Sequence, residues 1–372
     1  MQKVSQKSAS VVSFMPRHRL ETANVTIPEE LDVHFSEDLT PEGIIAACRG
    51  RDFLFVPATY PPITRPILEN IPSIRLIQSA GIGFDRIDTE AAAQIGIPVA
   101  NVPGENITTV AEFTIGALIA LQRRMVLADR QIKAGEYVPI REVFFKTGLR
   151  EVGDTRLGLI GLGAIGRRVA EIAGLLGARI AYFDPHRSPE TVENRLQAVY
   201  KPMDILLAES DAVSLHVPLN AETRSLISRR EIGLLPRGAF LINTSRGEIV
   251  DPKALAEALE TEHLAGAAVD TVSPEPPPPD HPLLNLSPAA ADRLLITPHV
   301  AGLTSSAFSR LLRSALANLV RTAAGEEPRN MVNGVIRGKQ GRAEGRSKRE
   351  EKGSGLHSSL VNSLFQRLDL FI

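Results

Sequence analysis

Hydrophobic and polar positions along this chain alternate between two patterns almost throughout its length. Short apolar runs bounded by polar or turn residues predict buried strands, and apolar residues spaced by three and four predict helices between them. The predicted strands are residues 11–14, 53–56, 75–78, 98–100, 157–161, 179–184, 212–215, 239–242, 265–269 and 294–296. The predicted helices include residues 41–47, 64–70, 89–95, 203–208, 229–234, 252–260 and 305–324. Strands that alternate with helices indicate the α/β class with parallel sheets.

A longer helical pattern begins near Thr108 and continues towards Ala134. Thr109 precedes Glu112 by three residues, which is the spacing of a capping box at the start of a helix. Its apolar stripe consists of Phe113, Ala117, Ala120 and Leu121. The pattern therefore predicts one long helix ahead of the second half of the chain.

A glycine pattern lies between a predicted strand and an apolar helical stretch. Gly161 allows a tight turn, Gly163 lets a pyrophosphate approach the backbone, and Gly166 lets the helix pack close to the strand. The helix amino terminus adds unpaired N–H groups and the positive end of a dipole. Asp184 ends the next predicted strand about 20 residues further on, where a carboxylate can bind an adenosine ribose. A lone glycine pattern is a weak signal, but these elements in register predict dinucleotide binding.

Composition narrows the classes of function. A 372-residue chain with 43% hydrophobic residues exceeds the usual size of one core, so two domains are expected. A net charge of −1 and a pI near 6.7 disfavour nucleic acid or an anionic membrane as a partner. No apolar run approaches the length of a membrane span. The single cysteine, Cys48, excludes an intramolecular disulfide and disfavours a structural metal site. We therefore predict a soluble, cytoplasmic protein without a metal.

Polar residues follow three predicted strands in the second half of the chain; they are Arg246, Asp270, Glu275 and His299. Ligands of open α/β sheets bind outside the carboxyl ends of the strands, so these residues should face a bound cofactor. Each also has an ordinary structural explanation. Arg246 alone could form a surface ion pair, and Glu275 could be a solvated carboxylate. Asp270 could cap a local turn, and His299 could be a structural histidine.

Together, these residue types match the needs of hydride transfer to a keto acid. A guanidinium can clamp the carboxylate and polarise the carbonyl. An imidazole that titrates near neutral pH can donate the proton. A carboxylate can orient that imidazole and hold its proton. The combination favours this chemistry over four unrelated structural roles.

From about residue 50 to residue 334 the chain resembles the D-isomer-specific 2-hydroxyacid dehydrogenase family. Besides the glycine pattern and Asp184, the resemblance rests on residues 80–88, 101–104, 110–112, 215–219, 243–247, 297–302 and 325–333. These segments read AGIGFDRID, NVPG, VAE, LHVPL, NTSRG, TPHVAG and GEEPRNMVN. The chain departs from the family's usual residues at Phe113, Tyr137 and Ala164, none of which is expected to touch the chemistry.

The resemblance implies a set of catalytic and substrate-binding residues. Arg246, Glu275 and His299 match the family's catalytic arginine, glutamate and histidine. Ile82 and Gly83 match the loop whose backbone N–H groups hold the substrate carboxylate together with Arg246.

The resemblance also implies NAD as the cofactor, with Asp270 at the nicotinamide carboxamide. The other positions implied for cofactor binding are Thr109, Gly161, Gly163, Ala164, Ile165, Gly166, Asp184, Val217 and Thr244. Asp184 favours NAD over NADP because its charge would repel a 2′-phosphate. Arg187, three residues further on, could soften that preference or be a solvated arginine.

The fold implied by the resemblance has two doubly wound parallel-sheet domains. A flavodoxin-like substrate domain would consist of residues 1–102 and 299–334, and a Rossmann NAD-binding domain of residues 103–298, with the active site in the cleft. Family members are usually homodimers joined through the long helix. The composition of residues 335–372 predicts a disordered linker and a short amphipathic terminal helix. That helix would dock on its own domain or a sister chain, or bind a partner or membrane surface.

The leading hypothesis is interconversion of a small D-2-hydroxy acid and its 2-keto acid, of the glyoxylate or hydroxypyruvate type. Formate dehydrogenases have a glutamine in place of Glu275 and phosphite dehydrogenases a lysine where Ile82 stands, which disfavours both. D-3-phosphoglycerate dehydrogenase is the alternative, although residues 57–61, which should face the substrate's side group, contain no cation. Arg65 is the nearest candidate to supply one. A nonenzymatic NAD-sensing scaffold, like the family's corepressors, is an alternative of another class.

Overall fold

The structure is a computed structural model that describes residues 8–335. Its strands form two sheets, and all neighbouring strands within them are parallel. The strands are β1 (Ala9–Ser13), β2 (Leu31–Phe35), β3 (Phe53–Val56), β4 (Leu76–Ser79), β5 (Val99–Ala100), β6 (Arg156–Ile160), β7 (Arg179–Phe183), β8 (Ala198–Tyr200), β9 (Ala212–Leu215), β10 (Ala239–Asn243), β11 (Leu264–Val269) and β12 (Leu294–Ile296). The smaller sheet has the order β2-β1-β3-β4-β5 and the larger the order β12-β11-β10-β9-β6-β7-β8. This confirms the predicted fold class.

Helices connect the strands of both sheets. They are α1 (Arg17–Thr22), α2 (Pro41–Cys48), α3 (Arg65–Glu69), α4 (Thr89–Ile95), α5 (Ile107–Gln122), α6 (Met125–Lys133), α7 (Tyr137–Thr147), α8 (Ala164–Leu175), α9 (Glu190–Leu196), α10 (Met203–Glu209), α11 (Arg229–Leu234), α12 (Pro252–Glu260), α13 (Pro288–Ala291) and α14 (Ser305–Ala323). Short 3-10 turns lie at Val152–Asp154, Gly247–Ile249 and Pro282–Leu284.

The smaller sheet is covered on both faces. Its central strands β3 and β4 are completely buried, as expected for a parallel sheet between helices. Helices α2, α3 and α4 pack on one face, and α1 and α14 pack on the other. Asn318 of α14 donates its side-chain amide to the side-chain oxygen of Gln78 on β4 at 2.7 Å. A helix from the far end of the chain therefore completes this core.

The larger sheet changes its strand order between β6 and β9, which are neighbours in space. Helices α5 and α8 pack on one face, and α10, α11 and α12 pack on the other. A change of strand order creates a crevice at the carboxyl ends of the adjacent strands. The glycine pattern follows β6, so it opens onto that crevice.

The prediction of one long helix from Thr108 to Ala134 was wrong, because that segment forms two helices. Helix α5 ends at Gln122, whose side-chain amide donates to the Thr155 hydroxyl at 2.6 Å. Arg124 then has a φ of 48°, in the left-handed region, and redirects the chain into α6. Packing against the sheet ends with α5, since α6 has no buried residues.

The predicted capping box at Thr109 was also wrong. Helix α5 begins after Asn106, so Thr109 lies within the first turn, and it is buried. Its hydroxyl lies 3.4 Å from the Thr304 hydroxyl, which precedes α14. The Thr109 hydroxyl therefore takes part in a tertiary contact and does not cap the helix.

Strands β2 and β8 were not predicted. Both lie at sheet edges, where half of the side chains face water and the continuous apolar run of a central strand is lost. Helices α1 and α7 were missed as well. Their sequences contain several charged residues and few buried positions, so the apolar period is weak.

The predicted domain limits at residues 102 and 299 stay predictions. The predicted linker and terminal amphipathic helix lie outside the described residues, which end at residue 335. Among residues 8–335, no helix is both long and apolar enough to cross a membrane.

Candidate active site

The glycine loop has the shape that its sequence predicts. Gly161 has a φ of 96°, and a Cβ atom there would overlap the His216 carbonyl. A Cβ atom on Gly166 would overlap the Gly161 carbonyl. Gly163, by contrast, precedes α8 and faces open space, since a Cβ atom on it would meet no other atom within 4 Å. The backbone is therefore closely packed on two sides and open on the third, which fits a pyrophosphate at this helix start.

Asp184 lies beside this loop at the end of β7. Its carboxylate accepts hydrogen bonds from the Leu162 N–H and the His186 N–H, each at 3.0 Å. Arg187 is largely exposed to solvent, and its guanidinium binds both carboxylate oxygens of Glu193 at 2.9 and 3.0 Å. The hydrogen bonds from Arg187 and from the Tyr182 hydroxyl lower the pKa of Glu193 to about 2. Arg187 is therefore paired with a carboxylate, that of Glu193, which is ionised at neutral pH.

Other positions implied for cofactor binding lie around the same crevice. Ala164 and Ile165 form the first turn of α8. Val217 follows β9 and packs close to Gly161. Thr244 follows β10, and its hydroxyl lies 3.2 Å from that of Thr114 on α5. These residues lie at the carboxyl ends of β6, β9 and β10, which are adjacent strands.

Asp270 is almost completely buried at the end of β11. Its carboxylate accepts hydrogen bonds from the Thr297 hydroxyl at 2.6 Å and from the N–H groups of Val300 and Ala301 at 2.9 and 2.8 Å. Its carbonyl accepts a further bond from the His299 N–H at 2.7 Å. Asp270 therefore fixes the segment that carries His299, and its implied contact with nicotinamide stays a prediction.

His299 and Glu275 form a pair. Nδ1 of His299 lies 3.0 Å from Oε2 of Glu275, and both side chains are partly buried. Burial by itself would raise the pKa of Glu275, but the hydrogen bond and charge of His299 and the Val272 N–H together hold it below its usual value. Glu275 is therefore an anion at neutral pH. It occupies Nδ1 of the imidazole and leaves Nε2 for another partner.

Arg246 reaches from the end of β10 to the loop that follows β4. Its Nε and Nη2 atoms both donate to Oδ1 of Asp85, at 3.0 and 2.9 Å. A Cβ atom on Gly83 would overlap Nη2, so the glycine allows the guanidinium to lie against this loop. The neighbouring Ile82 carbonyl accepts the Asn101 side-chain amide at 2.8 Å, which orients the loop.

The three predicted catalytic residues line one cavity. Its walls consist of Ala58, Thr59, Asp85, Arg86, Arg246, Gly247, Glu248, Val272, Glu275 and His299. Asp85 and Arg86 were not among the site residues predicted from the sequence, although both belong to the AGIGFDRID segment on which the resemblance rests. Two charged residues shortly after the glycines of this segment were the sequence signal that could have identified them.

Residues 57–61 contain no cation themselves, but a cation that the sequence did not suggest lies in the same cavity. Arg86 lines the cavity beside Ala58 and Thr59, because its carbonyl accepts the Ile63 N–H at 2.8 Å. No hydrogen bond or ion pair holds its side chain within the described part of the chain. Arg65, the candidate named from the sequence, instead binds the Gln94 side chain at 2.9 Å.

His216 follows β9 behind the glycine loop. Burial lowers its pKa to about 4, so the imidazole is neutral at physiological pH. Its Nε2 atom lies 2.9 Å from the Ser214 hydroxyl. Among the described residues, no group of three or more histidine, cysteine, aspartate or glutamate side chains is arranged to hold a metal ion.

Comparisons with known proteins agree on one family. Residues 115–301 match the family model described as D-isomer specific 2-hydroxyacid dehydrogenase, NAD binding domain. The chain is 37% identical to a glyoxylate reductase of Korarchaeum cryptofilum, over 86% of this chain and 95% of that protein. It is 35% identical to a D-3-phosphoglycerate dehydrogenase of Methanocaldococcus jannaschii, over 87% of this chain but 60% of that protein.

Solved structures give the same result. The D-lactate dehydrogenase of Aquifex aeolicus, complexed with NAD and lactic acid, superimposes with a TM-score of 0.73 at 26% identity. The match covers 85% of this chain and 96% of that one. The predicted enzyme class and the NAD cofactor are thereby confirmed. This chain belongs to the D-isomer specific 2-hydroxyacid dehydrogenase family of NAD-dependent oxidoreductases.

Proposed function

We propose that this enzyme interconverts a small 2-keto acid and its D-2-hydroxy acid, with glyoxylate or hydroxypyruvate as the keto acid. The observation that carries the proposal is the single cavity shared by Arg246, Glu275 and His299. It holds a guanidinium, an imidazole and a carboxylate, which are the groups that reduction of a keto acid requires. The glyoxylate reductase named above, similar over almost its whole length, supports the same substrate type.

Substrate binding is assigned to Arg246 and to the loop after β4. Backbone N–H groups of Ile82 and Gly83 would hold the carboxylate of the keto acid, and Arg246 would bind the carboxylate and the keto oxygen. A guanidinium suits this task because its planar N–H groups match two oxygens at once.

Proton transfer is assigned to His299. When bound, the nicotinamide of NAD supplies or accepts the hydride at the substrate's C2. In reduction, Nε2 of His299 gives its proton to the keto oxygen as negative charge develops there, while Arg246 stabilises that charge. Glu275, anionic and bonded to Nδ1, stabilises the protonated imidazole and fixes its orientation. In oxidation the same imidazole accepts the proton back.

The cofactor is assigned to the glycine loop. Gly161, Gly163 and Gly166, with the start of α8, would hold the pyrophosphate, and Asp184 would bind the adenosine ribose. The remaining assigned contacts are Thr109, Ala164, Ile165, Val217, Thr244 and Asp270. The pairing of Arg187 with Glu193 supports a preference for NAD, since the carboxylate already neutralises this arginine and occupies two of its N–H groups.

The test is steady-state turnover of glyoxylate and hydroxypyruvate with NADH and with NADPH, for wild type and Arg246→Ala. We expect turnover with NADH and a loss of at least about a hundredfold in kcat/KM for the variant. Tight NADH binding without turnover of either acid would refute the proposal and favour the nonenzymatic scaffold. A preference for NADPH would instead refute the assignment of Asp184.

Arg86 favours a second candidate, D-3-phosphoglycerate dehydrogenase activity. Arg86 lines the same cavity as Ala58 and Thr59, and its guanidinium, which has no partner among the described residues, could bind the phosphate of phosphohydroxypyruvate. Replacing Arg86 with Met keeps much of the length of the side chain and removes its charge. If the second candidate is correct, Arg86→Met should lower kcat/KM for phosphohydroxypyruvate at least about tenfold and leave glyoxylate nearly unchanged. If wild type and Arg86→Met have equal kcat/KM for phosphohydroxypyruvate, this second candidate is excluded.

We also propose a homodimer that forms through α6 and α7. Their exposed apolar side chains are Met125, Val126, Ile132, Tyr137, Val138, Val143 and Phe145. A surface of this kind is typical of a protein interface. Sedimentation should therefore give a dimer for wild type and a monomer for Val138→Glu. Leu175→Glu, on the exposed end of α8, is the control and should remain dimeric.

The cytoplasmic location and the absence of a nucleic-acid partner stay predictions. They rest on the charge balance and the single cysteine of the sequence.

A further inference from the structure

The guanidinium of Arg246 is fixed from two directions. Nε and Nη2 donate to the same oxygen of Asp85, and Nη1 donates to the Ser245 carbonyl at 2.8 Å. Asp85 belongs to the loop after β4 of the smaller sheet, whereas Arg246 follows β10 of the larger sheet. This contact therefore ties a proposed substrate-binding side chain to the opposite wall of the cavity.

The contact leaves a defined part of the guanidinium available. Arginine carries five N–H bonds in a fixed plane, and these contacts use one on Nε, one on Nη1 and one on Nη2. One N–H on Nη1 and one on Nη2 remain. With the Ser245 carbonyl on the Nη1 N–H nearer the stem, the two remaining N–H groups lie side by side at the end of the side chain and form a fork that matches two oxygens of a keto acid.

We propose that Asp85 is a positioning residue that aims this fork into the cavity. The inference rests on the proposed function of Arg246. Asp85 and Arg246 both line the cavity that holds Glu275 and His299, so the fork and the proton donor share one space. Without the Asp85 oxygen, the Nε edge would compete for the substrate, and the side chain could rotate about its long stem.

The loop around Asp85 is suited to this task. Gly83 has no Cβ atom and lets Nη2 approach the backbone. The Ser79 hydroxyl donates to the Gly83 carbonyl at 2.7 Å and anchors the turn to β4. The same short loop would therefore supply the N–H groups that hold the substrate carboxylate and the oxygen that aims the arginine.

The use of a single Asp85 oxygen gives a specific test. An asparagine can place its carbonyl oxygen at the Oδ1 position, while an alanine offers no acceptor. We expect Asp85→Ala to lower kcat/KM for glyoxylate by about 10- to 100-fold, because small misplacements of a binding group have effects of this size. Asp85→Asn should stay within about threefold of wild type, since it retains the acceptor.

A double-mutant cycle with Arg246→Lys separates positioning from general structural support. A lysine has no Nε edge for Asp85 to hold, so Asp85→Ala should have little further effect in that background. The NADH dissociation constant and the thermal midpoint should not change in Asp85→Ala. Equal losses in both backgrounds, or losses of NADH affinity and stability that parallel the loss of activity, would overturn the proposal.

Binding of oxamate, an unreactive analogue of a keto acid, keeps this test independent of turnover. Calorimetry in the presence of NADH should show an affinity about tenfold weaker in Asp85→Ala than in Asp85→Asn. This result would support the positioning role even if neither glyoxylate nor hydroxypyruvate proved to be a substrate. Identical oxamate affinities in the two variants would refute it.

Discussion

The two sheets contribute different kinds of group to the same cavity. The larger sheet contributes charged side chains from the segments that follow β10, β11 and β12, namely Arg246, Glu275 and His299. The smaller sheet contributes the wall formed by Ala58 and Thr59 and the loop that carries Asp85. Neighbouring strands lie about 4.8 Å apart, so residues after three adjacent strands fall naturally within reach of one small molecule. Under the proposed function, the chemistry would therefore depend on the larger sheet, and the choice of acid on the smaller one.

The largest effect should follow from removing the proton donor. We expect His299→Ala to lower kcat by about a hundredfold or more for every keto acid that the enzyme accepts, because it removes chemistry common to all of them. NADH affinity should be nearly unchanged. A decrease in kcat for only one keto acid would mean that the larger sheet also selects the substrate. That result would contradict the proposed division of roles between the two sheets.

The substitution Glu275→Gln should affect the same proton transfer less strongly than His299→Ala does. It retains a partner for Nδ1 of His299 but removes the negative charge, and the lowered pKa of Glu275 shows that wild type carries this charge at neutral pH. The protonated imidazole should therefore be less stable. The rate of reduction should decline at a lower pH than in wild type, as measured by the pH profile of kcat/KM.

The next largest effect should distinguish the tightly packed Gly166 from the open Gly163 of the cofactor loop. Gly166→Ala would overlap the Gly161 carbonyl and should lower the thermal midpoint by several degrees. Gly163→Ala points into open space, so its midpoint should match wild type while NADH binds about tenfold more weakly. Equal NADH affinity for Gly163→Ala and wild type would show that the pyrophosphate does not lie there.

A smaller effect is expected on the preference for NADH over NADPH. Glu193→Gln removes the anion that holds Arg187 and should raise kcat/KM with NADPH severalfold relative to NADH. The ratio between glyoxylate and hydroxypyruvate should not change, because neither Glu193 nor Arg187 lines the cavity assigned to the acid. Adding Arg187→Ala to the variant should restore the original coenzyme ratio; if it does not, Arg187 is not the cause.

The smallest effect should come from His216 and concerns stability. Its pKa of about 4 in the folded protein lies below the ordinary value of 6.5, so the unfolded chain binds a proton that the folded chain does not. Stability should therefore fall as the pH drops from 6.5 towards 4. His216→Gln removes this group, and its thermal midpoint should decline between pH 7 and pH 5 by a few degrees less than wild type.

The buried elements of this fold were predictable because their signals are local. Strand β3 and helices α4 and α12 have continuous or periodic apolar residues, and their predicted limits match. The edge strands β2 and β8 were missed because water covers part of their side chains. The break at Arg124 depends on where α5 stops packing against the sheet, which local sequence does not record.

The residues of the candidate site also divide into those that the local sequence identifies and those that only the tertiary structure brings together. Arg246, Glu275 and His299 could be chosen because they follow three strands of one parallel sheet, whose carboxyl ends lie at the same edge. The Asp85–Arg246 contact joins residues that are 161 positions apart in sequence. Only the placement of the two sheets brings them together. Arg86 was overlooked for a different reason, because a backbone contact between the Ile63 loop and the loop after β4 brings it into the cavity that Thr59 lines.

Helix α14 has a consequence for the order in which the protein is completed during synthesis. Strands β1 to β5 leave the ribosome first, but one face of their sheet is covered by Leu311, Leu312, Ala315, Leu316 and Leu319, which emerge last. The elements of the larger sheet, from α5 to β12, form one uninterrupted stretch and need no later segment for their core. Domains of a growing chain generally fold as units. The smaller sheet is therefore synthesised first, but its core is completed only when α14 has been synthesised. A nascent chain that stops before Thr304 exposes the apolar face of this sheet to chaperones and proteases.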